Sequence, residues 1–164
     1  MTPAIPQFIK QLADAKAPPN CENPYGWERP FAPQRRFNLQ HYLQLMIQVQ
    51  PRLLLVGEAP GYRGCRLTGI PFVSPYLLAN LGERFNQLNN SFQSIGEWPK
   101  VQKEASATIV WRTIGQWQPL PLLWNVFPFH PHQPSKPQSN RTPTTSEIAV
   151  GRPFFLHLLN IFPN

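Results

Sequence analysis

Leu53-Leu54-Leu55-Val56-Gly57-Glu58-Ala59-Pro60-Gly61-Tyr62-Arg63-Gly64-Cys65-Arg66-Leu67-Thr68-Gly69-Ile70-Pro71-Phe72 is the stretch from which the rest of the chain is read. Four apolar residues without alternation, running straight into glycine, predict a strand buried on both faces whose carboxyl end opens into a binding loop. In an open α/β sheet that end is where ligands collect. The glycines permit close backbone approach or positive φ, and Pro60 and Pro71 fix the turns between them. Glu58, one residue past the strand, is a candidate for activating water, since a carboxylate at the floor of a crevice is a ready proton acceptor. An acidic residue at the mouth of an ordinary loop, solvated or paired with Arg63 or Arg66, is the alternative.

A second strand is predicted at Leu122–Val126, delivering Asn125 toward the same edge as Glu58. Between the two, Ala107, Val110, Trp111, Ile114 and Trp117 recur at helical steps, which makes the connection a crossover between parallel strands. The spacing of Tyr76, Leu77, Leu78, Leu81 and Phe85 predicts a helix over 74–88, with Asn89-Asn90-Ser91 as its break, and Ser94–Glu104 reads as a loop. Ahead of the first strand, Asn38 is placed to cap a sheet-covering helix whose apolar face is Leu39, Tyr42, Leu43, Met46 and Ile47. His41 lies off that stripe and is expected to face solvent. Ile5, Phe8, Ile9 and Leu12 predict a short amphipathic helix. The Pro-rich run from Cys21 to Gln34 reads as an irregular loop pinned by buried rings, with DNA stacking by Tyr25 or Trp27 as the alternative. Near the end, Thr144 and Glu147 form a capping box for a last helix in which Gly151 and Pro153 predict a kink or a later start.

Gly-Glu-Ala-Pro-Gly at 57–61 followed by Gly-Ile-Pro-Phe at 69–72 resembles the first motif of the uracil-DNA glycosylase superfamily, and is most similar to its family 4 branch. Leu122-Leu123-Trp124-Asn125-Val126-Phe127-Pro128-Phe129-His130-Pro131, with Ser139-Asn140-Arg141 after it, resembles that family's strand ending in Asn and the Asn-Arg that follows. The resemblance implies an α/β domain of three layers, α/β/α, around a central parallel sheet. It spans 1–164 as one domain, with 1–37 an N-terminal helix and Pro-rich arm and 38–164 a partial α/β core.

The same resemblance implies roles residue by residue. Phe72 stacks on the flipped uracil, Asn125 reads its edge, Gly57, Ala59 and Tyr62 complete the pocket, and Glu58 is the catalytic carboxylate. One amide carries a donor and an acceptor, and so matches the O4 and N3–H edge of uracil while cytosine presents the opposite pattern. For Asn125 alone, a strand-ending bond to nearby backbone is the competing reading. Arg63, Arg66, Lys136 and Arg141 are the candidates for the DNA backbone. His130 and His132 lack carboxylate or cysteine partners for a metal and read as loop residues near the DNA path. No metal and no cofactor is expected: family 4 enzymes hold a four-cysteine iron–sulfur cluster, and this chain has only Cys21 and Cys65.

The family's later His-Pro-Ser type motif, whose histidine stabilises the departing uracil anion, has no counterpart before Asn164. The sequence therefore predicts a sheet lacking its C-terminal part, exposed apolar surface and self-association, and reduced or absent activity. Two other classes stay open, a noncatalytic DNA-binding remnant and a small-nucleotide-binding protein. Composition agrees with a polyanionic partner such as nucleic acid, 15 Lys and Arg standing against 8 Asp and Glu for a net charge of +7, and the resemblance implies that this partner is uracil-containing DNA. No run of residues is long and apolar enough to span a membrane, and the N-terminus lacks the plan of a secretory signal, so the expected place is cytoplasmic.

Overall fold

Ile5, Phe8, Ile9 and Leu12 fall on one face of a helix, and in the computed structural model, which describes residues 4–87 and 91–163, they are the buried face of α1 (Ala4–Asp14). A two-residue strand β1 (Cys21–Glu22) follows, then α2 (Ala32–Val49) and β2 (Leu54–Gly57). After β2 come the short helices α3 (Cys65–Thr68) and α4 (Pro75–Leu78), a 3-10 turn at Leu81–Phe85, and α5 (Ala105–Ile114). The chain continues through β3 (Leu122–Asn125), β4 (His130–Pro131) and α6 (Thr145–Ile161).

β2 and β3 pair in parallel in the register Leu54↔Leu122, Leu55↔Leu123, Val56↔Trp124 and Gly57↔Asn125. Past the last pair, Val126 N–H donates to Gly57 O at 2.9 Å and Phe127 N–H to Glu58 O at 3.0 Å. Consecutive strand residues point to opposite faces, so Trp124 and Asn125 mark the two sides of the sheet. On the Trp124 side, the ring meets Phe8 of α1 at 5.3 Å, and Phe8 meets His157 of α6 at the same distance. On the Asn125 side lies Phe72, whose carbonyl accepts a bond from Trp111 Nε1 of α5 at 2.9 Å. The outer edge of β3 is engaged by α2, where Tyr42 Oη accepts from Leu123 N at 2.8 Å. Helices on both faces of a parallel sheet give the expected α/β layering.

Several local expectations change. β2 is not buried on both faces: Leu53 is 58% and Val56 49% exposed. Among the described residues only β3 pairs with it, so one edge stays open. α2 starts at Ala32 rather than after Asn38 and crosses the division expected at 37/38. Pro33 sits in its first turn, where proline costs no hydrogen bond, and the Pro-rich reading of this segment took that start signal for loop. Asn38 is therefore not a cap. It is fully buried, its amide donating to Thr68 O and Gln93 O and accepting from Gln93 N. His41 is half-buried, its ring 4.9 Å from that of Phe92 and its Nε2 2.6 Å from Ser91 Oγ, not free in solvent.

The helix expected over 74–88 is two pieces, α4 and the 3-10 turn, and the break expected at Asn89-Asn90 lies outside the described residues. α6 runs unbroken through Gly151 and Pro153 from the predicted capping box. Gly151 lets the helix lie on the sheet end, since a Cβ there would stand 2.2 Å from Val126 O. No helix among the described residues is long and apolar enough to cross a membrane.

Candidate active site

The β2–β3 register decides what meets at the sheet end. Gly57 lies opposite Asn125, and a Cβ at Gly57 would sit 2.5 Å from Asn125 Oδ1 and 2.6 Å from Phe72 Cζ. Glycine is thus the residue that lets amide and ring converge beside the strand. Asn125 is 4% exposed, and no side chain or backbone group among the described residues engages its amide. Phe72 holds φ 57, a left-handed backbone that a bulky residue seldom adopts. Strain of this kind persists only where the surroundings impose it; here they include the Trp111 bond to its carbonyl.

A cavity of about 480 Å³ opens above this group. Gly57, Glu58, Ala59, Phe72 and Asn125 line it together, and Glu104 and the Asn140–Pro143 loop also contribute to its lining. Glu58 is exposed to it and forms no ion pair with Arg63 or Arg66, so the paired alternative drops out among the described residues.

The loop that forms the cavity is braced from behind by α2 and the arm. Arg35 Nε donates to Leu67 O at 3.2 Å, Asn38 reaches Thr68 O, and Tyr25 Oη donates to Gly69 O at 2.9 Å. Within the loop, Thr68 Oγ1 donates to Val73 O at 2.7 Å and so sets the turn that presents Phe72. Tyr25 is 1% exposed, an anchor rather than a stacking surface, whereas Trp27 is 54% exposed, bonds Asp14 and carries the Arg36 guanidinium over its ring.

The remaining expected site residues divide. Tyr62 does not line the cavity: its N–H donates to Asn140 Oδ1 at 3.0 Å, while its ring lies 6.0 Å from that of Trp98 with the Arg63 guanidinium above it. Arg63 and Lys136 are exposed. Arg66 is not available to phosphate. It is buried, with Nε 3.0 Å from Glu22 Oε2 and its fork 2.8 Å from Glu97 Oε1, in a cluster that also takes in Arg29 and Arg35. Arg141 lines the cavity but is committed to Glu147 through two bonds of 2.6 and 2.7 Å and to His132 O. That pair holds the Glu147 carboxyl down at about 2.

His130 is a buried strand residue in β4, not part of an exposed loop: its Nδ1 lies 2.7 Å from Pro60 O, on the cavity lining, and its Nε2 3.1 Å from Pro137 O. An iron–sulfur cluster finds no fit. Cys65 is buried beside Tyr25, where desolvation pushes its thiol far up. Cys21 bonds Glu147 and is pushed to about 12, chiefly by burial. Neither is poised to be a thiolate ligand.

Sequence reasoning missed Glu104. It is half-buried, and desolvation raises its carboxyl above the ordinary value. Both oxygens fill the space that side chains at Gly61 and Gly64 would occupy, each 2.0 Å from an ideal Cβ there. A lone acid between a Lys-Pro loop and a helix carries no sequence signal; only the two glycines facing it, in the quoted loop, hint at a neighbour close to the backbone.

A profile of the Uracil DNA glycosylase superfamily matches residues 46–164. The crystal structure of wild-type Pedobacter heparinus SMUG2 is similar with a TM-score of 0.57 and 18% identity, over 98% of this chain and 69% of that one. No curated protein sequence matches the chain.

Proposed function

The chain belongs to the uracil DNA glycosylase superfamily, and from that premise we propose that it hydrolyses the N-glycosidic bond of uracil in DNA. The observation that carries the reading is the Gly57↔Asn125 register, which leaves Glu58, Phe72 and Asn125 around one cavity.

A base inside a duplex is out of reach, so the target nucleotide must swing out of the stack or come from a single strand. The flipped uracil stacks on the Phe72 ring, and the Asn125 amide, free of other partners and desolvated, pairs with its O4 and N3–H edge. Leaving that amide unpaired against a mismatched edge penalises cytosine by the cost of an unsatisfied buried polar group, about 1–3 kcal/mol. Glu58 takes a proton from a water held against C1′, and the water oxygen bonds to C1′ as the bond to N1 breaks. Exposed Arg63 and Lys136, with the overall positive charge, hold the phosphate backbone on either side.

The test is release of uracil from a labelled single-stranded oligonucleotide, with Glu58→Gln beside the unsubstituted chain. Removing the base should cost about 10²–10⁴-fold. Equal release from both would remove Glu58 from the mechanism, and no release from either would overturn the assignment of this activity to the chain.

A further inference from the structure

Two half-buried aromatic residues, Tyr62 and Trp98, stand beside the cavity, and nothing in the reading above employs their rings. Tyr62 follows Gly61 of the cavity lining, and its N–H is held 3.0 Å from Oδ1 of Asn140, another lining residue. Its ring lies 6.0 Å from that of Trp98, with the Arg63 guanidinium 5.2 Å from its centre. Trp98 also lines a second cleft, of about 200 Å³, together with Pro75, Leu78, Lys100 and Val101. Beside that cleft is another ring bearing a cation: exposed Tyr76 donates its N–H to Gln102 O at 3.1 Å, and Lys103 Nζ lies 4.5 Å from the centre of its ring. Among the described residues nothing accepts a bond from Trp98 Nε1, and Arg63, Lys100 and Lys103 form no ion pair. Glu97, next to Trp98 in the chain, is committed to Arg35 and Arg66, and Glu104 is turned to Gly61 and Gly64. The cations against the rings are thus uncompensated.

Resting on the glycosylase reading, we infer that Tyr62 and Trp98 form a subsite for the base of a nucleotide flanking the flipped one on the same strand, with Arg63 and Lys100 against its phosphates. A base drawn into the cavity keeps its neighbours tethered by phosphodiesters, so they come to rest beside the cavity, and Tyr62 is one residue from its lining. Flipping also strips the neighbour of a stacked partner and bares an apolar face. The phenol and indole rings replace that lost stacking. Every base has a π face and every linkage a negative charge, so rings interleaved with unpaired cations bind a strand whatever its sequence.

The experiment measures binding of labelled single-stranded oligonucleotides by fluorescence anisotropy. Each carries one 2′-fluoro-2′-deoxyuridine, whose fluorine disfavours positive charge at C1′ and so resists cleavage, and an abasic residue is moved through the positions on either side of it. With the unsubstituted chain, one flanking position should weaken binding by about 10-fold when abasic, and Trp98→Ala should weaken binding of the intact oligonucleotide by about the same factor. Combined, the two changes should still cost about 10-fold rather than about 100-fold, because both remove one contact. Trp98→Phe, which keeps a ring to stack on, should restore most of the loss. The Trp98→Ala loss should persist in high salt, where the loss from Arg63→Gln shrinks. Losses that multiply at every position, or parental binding by a folded Trp98→Ala chain, would overturn the inference. If Trp98→Ala does not fold, Tyr62→Leu enters the same comparison in its place. Uracil release from the ordinary deoxyuridine oligonucleotide, followed in parallel, separates the two readings. Release without coupling at any position overturns the subsite and leaves the glycosylase reading standing. Coupling without release keeps the subsite and overturns the activity, and the absence of both overturns both.

Discussion

Gly57→Ala isolates the geometry on which the proposed base pocket depends. The new methyl would lie 2.5 Å from Asn125 Oδ1 and 2.6 Å from Phe72 Cζ. Non-bonded carbons settle at about 3.5–4.0 Å, so both side chains must retreat by about 1 Å. The atoms in the way are the ends of side chains rather than backbone, which puts the stability cost at the low end of overpacking, about 1 kcal/mol. For a chain of this size that lowers the thermal midpoint by about 2–4 °C. The site has less room to adapt. Phe72 is fixed by its φ of 57 and by the Trp111 bond, and Asn125 sits at the end of a paired strand. A displacement of about 1 Å in a positioning group costs on the order of 10²-fold in rate. The expected outcome is therefore a cooperative thermal transition within about 5 °C of the parent together with a loss of uracil release near two orders of magnitude. Both are measured on one preparation, by circular dichroism on heating and by the oligonucleotide assay. Parental release from a folded Gly57→Ala chain would refute the placement of the base between Phe72 and Asn125.

Other substitutions separate the loop's support from its chemistry. Gly69→Ala meets the Arg35 backbone, with a Cβ 2.5 Å from Arg35 O at φ 81, so nothing can swing aside and destabilisation should exceed that of Gly57→Ala in urea unfolding. Arg63→Gln and Lys136→Gln should each weaken DNA binding and lower the slope of log K against log salt by about 1 while leaving the urea midpoint unchanged. Arg66→Gln should leave that salt slope alone and destabilise by about 3 kcal/mol, because Arg29 and Arg35 still partner the carboxylates of Glu22 and Glu97. Glu147 is held at about 2 in the folded chain against an ordinary 4.5, so its contribution is complete above pH 4.5 and fades as pH falls toward 2. Glu147→Gln keeps the cap but loses the charge-assisted bonds to Arg141. Its deficit near neutral pH, about 1 kcal/mol, should close over that window in a series of thermal melts.

The sequence carried the strand–loop–strand frame because that frame is written locally. The apolar run at 53–56, the glycines after it and the apolar run at 122–126 each announce themselves, and pairing them in parallel puts Gly57 beside Asn125 without further information. The capping box at Thr144 and Glu147 was legible for the same reason: its bonds join residues three apart. What escaped is held by long-range partners. Arg66 carries the same local signature as Arg63, a basic residue in a glycine-rich loop, yet one is folded inward onto Glu22 and Glu97 and the other points out. The difference lies 44 and 31 positions away in sequence and cannot be read from the loop. Asn38 and Arg35 likewise sit in a helix whose polar residues suggest solvent, but they face the loop they brace.

Glu104 is the sharpest case, because no segment around it looks like a site. Its proximity to the loop follows from α5 packing against the segment that carries Phe72, through Trp111, so the helix that orients the ring also delivers the acid. A substitution in α5 that loosens Trp111 should therefore disturb ring and carboxyl together. Trp111→Phe, which removes the Nε1 bond to the Phe72 carbonyl and keeps most of the packing, should lower release of uracil from the oligonucleotide. Undiminished release from a folded Trp111→Phe chain would mean that this bond does not set the ring.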